Sequence, residues 1–198
     1  MSRRYHSQEY LDIWTATGRY PTIHATMWET CLHMLDRSAE NDGRILDLFS
    51  STGLLGAHLR AYGYKVAWSD GDSNALDRGI IAGAIDPEHL FRGRLTMQNW
   101  AVFLDWLALE GVRTIVARRC LDVLFDVIPP DTAQAGFLEA GVDAIVLEGL
   151  VVSSRMKHPY GSADSQVAAL APGYRCWGGA RDCRYLARPR PLTRVLHP

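Results

Sequence analysis

Between residues 44 and 147 the chain alternates short β-branched or apolar runs with stretches of helical spacing, a pattern that restricts it to a parallel sheet joined by crossover helices. The strand runs fall at 44–49, 65–68, 92–98, 113–117 and 142–147. Helical stretches at 54–62, 73–84 and 101–109 lie between them, with Ser73 as a candidate N-cap. A longer one at 121–140 is broken at Pro129-Pro130. After the fifth strand, 174–177 and 183–186 around Gly178-Gly179 read as a closing hairpin, which adds an antiparallel strand at the edge of a doubly wound sheet. Residues 7–39 look helical in two pieces interrupted at 18–21, with Ile23, Met27, Cys31, Met34 and Leu35 on one face.

Composition agrees with one globular domain. Apolar residues make up 47% of the 198 and charged residues 22%, which excludes a disordered or collagenous chain. Lys plus Arg number 21 against 22 acids, so the chain as a whole lacks the basic excess of a domain held mainly by a nucleic-acid backbone. The last 18 residues depart from this balance. Arg181, Arg184, Arg188, Arg190 and Arg194 stand there against Asp182 alone, a basic tail on an acidic body. The four cysteines, Cys31, Cys120, Cys176 and Cys183, form no CxxC pair and no zinc-spaced cluster, so no metal is expected. No stretch approaches the roughly 18 apolar residues of a membrane span, and the first dozen residues lack a signal-peptide core. The expectation is a cytoplasmic protein with reduced thiols and no membrane partner. Cys176 and Cys183 are the one pair that could meet across the hairpin, and in that compartment they are expected to be packed thiols.

The most informative segment is Ile45-Leu-Asp-Leu-Phe-Ser-Ser-Thr-Gly-Leu-Leu-Gly56, followed by Tyr64-Lys-Val-Ala-Trp-Ser-Asp-Gly-Asp72. A strand ends in small residues, turns at Gly53 and opens a helix, so backbone N–H groups face a ligand at the strand's carboxyl end. Asp47 lies inside that strand, and Asp70 ends the next one, where a carboxylate can accept from both hydroxyls of a ribose. The absence of a phosphate-binding lysine after Gly53 and of a G-x-G-x-x-G run argues against nucleotide-phosphate and NAD sites.

Residues 44–75 resemble motifs I and II of the class I S-adenosylmethionine (SAM) dependent methyltransferases, and the run from Asp47 to Gly56 is similar to the loops of DNA cytosine-5 and ribosomal RNA guanine methyltransferases. The resemblance implies a Rossmann-like seven-strand sheet with N-terminal helices and SAM as cofactor. It implies that Asp47 anchors the loop around the methionine moiety, with Ser50, Ser51, Thr52 and Gly53 forming that loop and Ser50 or Ser51 replacing the usual first glycine. Asp70 would bind the ribose, with Asp72 as a close alternative. The end of the third strand would flank adenine, with Asn99 for its amine and Trp100 as the ring's wall; a helix-capping Asn99 and a core Trp100 are the alternative.

The acceptor side is less explicit. The fourth strand ends in Ala117-Arg118-Arg119-Cys120, which has neither the [Asp/Asn/Ser]-Pro-Pro-aromatic motif of amino-methylating DNA enzymes nor the Pro-Cys nucleophile of cytosine-5 methylation. Arg118 and Arg119 suit carboxylate or phosphate recognition, or pair with Asp122 or Asp126. Glu148, His158 and Tyr160 are candidate proton acceptors at and beyond the fifth strand. His24 and Trp28 either close over the cofactor or are a solvated and a core residue.

The expected organisation is a helical cap at 1–40, a SAM-binding domain at 41–187 and a basic arm at 188–198. The expected function is methyl transfer to a small-molecule or nucleic acid acceptor, with a catalytically inactive SAM-binding module of the same fold as the alternative. The arm either contacts phosphates or folds back on the acidic body.

Overall fold

A computed structural model describes residues 43–150, 158–180 and 182–189. The expected N-terminal helical cap, with His24, Trp28 and Cys31, falls on residues outside them. Seven strands form one sheet: β1 (Arg44–Leu48), β2 (Val66–Asp70), β3 (Leu90–Arg92), β4 (Val112–Arg118), β5 (Ala144–Glu148), β6 (Arg175–Ala180) and β7 (Cys183–Ala187). Their order is β3-β2-β1-β4-β5-β7-β6, with β7 antiparallel to both neighbours and the first five strands parallel. The chain order reverses between β1 and β4, so the carboxyl ends of β1, β2, β4 and β5 border the crevice in which sheets of this kind bind ligands.

Helices cover both faces. On one side lie α1 (Leu54–Ala61) and α2 (Ser73–Ile81), where Leu55, Leu59 and Leu76 pack on Ile45, Val66, Trp68 and Val116. On the other lie α3 (Trp100–Leu109), α4 (Leu121–Phe125), α5 (Pro130–Glu139) and α6 (Ala163–Leu170). Their Phe103, Leu107, Leu124, Phe137 and Leu170 pack on Leu46, Leu48, Ile115 and Ile145. This explains why β1, β4 and β5 are buried at most positions rather than at alternate ones: side chains of both parities are covered. Large side chains such as Trp68, Phe103 and Phe137 contribute about 1.5–3 kcal/mol each through burial. Among the described residues no helix is long and apolar enough to cross a membrane.

Three expectations are corrected. The third strand is Leu90–Arg92, not 92–98, because Asp86 caps a short 3-10 turn (Pro87–His89) that delivers Leu90 opposite Trp68. Residues 94–99 instead make a turn in which the Asn99 side chain accepts from the Thr96 backbone N–H at 2.8 Å. Second, Gly178-Gly179 is not the hairpin turn: both glycines lie within β6, next to a bulge. A Cβ on Gly179 would stand 2.4 Å from the Cys183 carbonyl oxygen, so the strand needs glycine there. Third, Cys176 pairs with Leu186 and Cys183 with Ala180, so the two thiols do not meet. Cys183 is buried, as expected of a packed thiol, whereas Cys176 is exposed rather than packed.

The first part of the basic tail turns back on the body. Arg184 pairs with Asp164 at 2.8 Å, and Arg188 donates through Nε to the Val142 carbonyl at 2.7 Å and through Nη2 to that of Leu138. Arg190 and Arg194 lie outside the described residues.

Close approach of α1 to β2 gives a test of this packing. A Cβ on Gly56 would lie 2.3 Å from Trp68 Nε1 and 3.0 Å from Val66 Cγ1. In a helix with room, Gly→Ala stabilises by about 1 kcal/mol. Here Gly56→Ala is expected to destabilise by about 1–3 kcal/mol. A rise in Tm on thermal unfolding would contradict the packing.

Candidate active site at the carboxyl ends of the strands

The loop from β1 to α1 is held by two buried carboxylates. Asp47, mid-strand and buried, points with Ile45 toward α1, and its Oδ2 accepts the Gly56 N–H at 2.8 Å. Asp70, at the end of β2, accepts the Ser51 N–H through Oδ2 and the Asp72 N–H through Oδ1, both at 2.8 Å. An ionised carboxylate offers about four lone-pair sites. Asp70 therefore retains acceptor capacity for two hydroxyls while bracing the loop. The Asp72 side chain is used differently. Its Oδ1 accepts from Asn74 and Ala75, which makes it the N-cap of α2 in place of the expected Ser73.

Backbone conformation within the loop is unusual. Phe49, Ser51 and Gly53 have φ of 54°, 54° and 73°. Alternate residues thus occupy the left-handed region, which costs a non-glycine residue about 1–2 kcal/mol. Ser51, rather than Ser50, adopts the glycine-like conformation. Gly53 has no alternative: a Cβ would meet Ile85 Cγ1 at 2.3 Å. Close by, the Thr52 carbonyl oxygen would lie 2.6 Å from a Cβ on Gly79, so α2 seals the far side of the turn. Strain gathered in one loop and held by side-chain bonds is characteristic of functional sites.

Two hydroxyls here gave no signal as a pair in the sequence. Ser50 Oγ and Ser69 Oγ are buried at the ends of β1 and β2 without a hydrogen-bond partner among the described residues, the condition of groups that bond a ligand or an ordered water. Ser50 belongs to the conspicuous loop, but Ser69 is a single polar residue before Asp70 in an apolar strand and carries no periodic pattern.

Asn99 and Trp100 carry structural duties. The Asn99 amide donates to the Arg94 carbonyl and accepts from Thr96, closing the turn before α3. Trp100 is buried, with its ring centroid 5.5 Å from those of Phe103 and Phe137. Trp100 matches the core alternative; Asn99 stands at the N-cap position of α3, but its side chain bonds the preceding turn and not the helix.

On the acceptor side, β4 and β5 bring Arg118 and Glu148 into register. Glu148 is buried, with Oε2 3.0 Å from Arg118 Nε and Oε1 accepting from Arg119 Nε and Nη2 at 3.0 and 2.7 Å. Oε1 carries both Arg119 hydrogen bonds and Oε2 is ion-paired with Arg118 without a hydrogen bond, so Glu148 serves as an anchor for guanidinium groups. His158 is likewise engaged. Its Nδ1 accepts the Tyr160 N–H at 3.2 Å, which assigns the ring proton to Nε2, and Nε2 lies 2.7 Å from Asp126 Oδ1. The Tyr160 ring stacks edge-on to Phe125 at 5.2 Å and lies beside His158. Cys120 is buried, its thiol 3.4 Å from the Leu48 carbonyl. No group of three or more potential metal ligands occurs among the described residues.

No protein-family model and no curated protein matches this chain. Solved structures do. The bifunctional kinase-methyltransferase WbdD matches with a TM-score of 0.56 at 16% identity over 83% of this chain, which spans only 38% of that protein. The glycopeptide N-methyltransferase MtfA, complexed with S-adenosyl-L-homocysteine (SAH), matches at TM-score 0.51 and 13% identity over 80% of this chain and 88% of its own. The PH0226 protein from Pyrococcus horikoshii OT3 matches at 0.52 and 10% identity over 95% and 97%. With the strand order above, these matches show the fold: the chain has the seven-strand, Rossmann-like fold that class I methyltransferases share.

Electrostatics at Asp47 makes this geometry testable. Burial pushes its carboxyl up to about 7, opposed by the Gly56 N–H, reinforced by the Asp70 charge and opposed again by Arg118. The folded state therefore binds this proton more tightly than the unfolded chain does, and stability falls as pH rises from about 4 to about 7. Asn at this position still accepts the Gly56 N–H but does not ionise. Between about pH 5 and about pH 8 the parent protein is expected to lose on the order of 2–3 kcal/mol more than Asp47→Asn. Urea titrations that give both the same pH dependence would contradict the assignment.

Proposed function

We propose that the protein is a SAM-dependent methyltransferase whose cofactor lies along the 49–53 loop and the end of β2. The observation that carries the reading is Asp70: a buried strand-end carboxylate that braces the neighbouring loop through the Ser51 N–H and keeps acceptor capacity for ribose hydroxyls. The Ser50 and Ser69 hydroxyls, which have no partner among the described residues, support a polar ligand at the same strand ends. Asp47 would hold the loop around the methionine moiety, and Thr52 and Gly53 would supply its turn. When bound, SAM supplies an activated methyl on a sulfonium centre. What remains for the chain is to align an acceptor with that methyl and exclude water.

The acceptor would enter over the ends of β4 and β5, beside Arg118, Arg119, Glu148, His158 and Tyr160. A small molecule fits better than a nucleic acid, since Arg184 and Arg188 are occupied with Asp164 and with backbone carbonyls. One second reading has an observation of its own. Glu148 and His158 are both engaged in ion pairs or hydrogen bonds, as would suit a SAM-binding module without catalysis.

Calorimetry with SAH tests the site. Stoichiometric binding is expected, weakened about tenfold or more in Asp70→Asn, which loses a charge-assisted bond; no heat with the parent protein would overturn the proposal. Methyl-labelled SAM incubated with a cell extract then separates the two readings. Labelled product supports the enzyme, whereas SAH binding without transfer supports the module.

A further inference from the structure

We infer that the acceptor carries a carboxylate or phosphate group and that Arg119 binds it, with Glu148 as the positioning residue. This deepens the methyltransferase reading and rests on it for the identity of the bound molecule as acceptor. Arg119 is the first residue past β4, at the end of the sheet where open α/β folds take ligands. Its φ of 53° is left-handed, a conformation that a residue with a Cβ holds only when its surroundings impose it. Glu148 imposes it twice. The Arg119 N–H donates to the Glu148 carbonyl at 2.8 Å, and the guanidinium donates through Nε and Nη2 to Oε1 of the same residue.

Exposure grades along the cluster from inside to outside. The Glu148 side chain is 7% exposed, that of Arg118 17% and that of Arg119 37%. A buried anion thus grips the inner edge of a guanidinium whose side chain reaches the surface. A fork with its plane fixed in advance loses little freedom on binding a planar or tetrahedral oxyanion, and such contacts are charge-assisted and bidentate. A lysine on the same backbone would offer a mobile point charge.

The test uses the full-length chain labelled with nitrogen-15 and reads the arginine Nε–Hε resonances. Sodium phosphate and sodium succinate are titrated separately against sodium chloride at constant ionic strength. With either anion, the Arg119 resonance and that of Arg118, which shares Glu148 with it, are expected to move along a saturating curve, and the anion that saturates at lower concentration identifies the group. Arg119→Gly removes the guanidinium while relieving the left-handed backbone, so it should fold, and the neighbouring Arg118 resonance should no longer saturate. Arg119→Lys keeps the charge and should bind at least about tenfold more weakly, because the fork is lost. A linear response of Arg119 to both anions overturns the inference, as does saturation of Arg118 that survives in Arg119→Gly. SAH calorimetry on the same sample keeps the two proposals apart: SAH binding with linear anion titrations overturns this inference alone. Saturable anion binding without SAH binding upholds the oxyanion site and overturns the methyltransferase reading.

Discussion

Two carboxylates accepting backbone N–H groups determine where the strand-end loop runs. Asp47 takes the Gly56 N–H and so fixes how α1 leaves β1; Asp70 takes the Ser51 N–H and ties the same loop to the neighbouring strand. These two bonds, with the Ser50 N–H bond to the Ser69 carbonyl and the Gly53 N–H bond to that of Ser50, hold the left-handed backbone at Phe49 and Ser51 that L-residues disfavour. Both bonds are short and largely shielded from water, where a charge-assisted hydrogen bond is worth more than at the surface. The cost falls on Asp47, whose burial makes its charge unfavourable near neutrality. A site that binds a cationic ligand gains from such a carboxylate, because the ligand's charge restores the ionised form.

A second charged group sits across the crevice. Arg118 touches both halves: it pairs with Glu148 on β5 and lowers the proton affinity of Asp47 on β1. The acceptor side is consequently built from ion pairs, whereas the cofactor side is built from carboxylates on backbone amides. Both lie at strand ends brought together by the reversal of strand order at β1 and β4.

Much of this was legible in the sequence because it depends on local chemistry. The alternation of apolar runs and helical stretches gave the parallel strands, since burial on both faces demands runs without alternation. Asp47, Gly53 and Asp70 stood out as strand-end residues of the types a ligand loop needs. What was not legible depends on partners distant in the chain. Nothing local to Leu90–Arg92 distinguishes it from 92–98; the register with Trp68 and the Asp86 cap decide it. Glu148 looked like a base because its two arginines come from another strand end, 29 and 30 residues away. His158 reads as available because its ring partner Asp126 lies 32 residues away in the chain. Of the two glycines that read as a turn at 178–179, Gly179 serves close approach between strands, whereas a Cβ on Gly178 would meet nothing.

The central claim is that SAM binds on the loop braced by Asp47 and Asp70. It is tested most directly by following backbone amide resonances of the nitrogen-15-labelled protein as SAH is added. The account predicts that the largest shifts fall on Ser51, Gly53, Gly56 and Asp72, whose N–H groups line or brace that loop, with little change in β6 and β7. Saturable shifts confined to other parts of the chain, with these four amides unmoved, would contradict it.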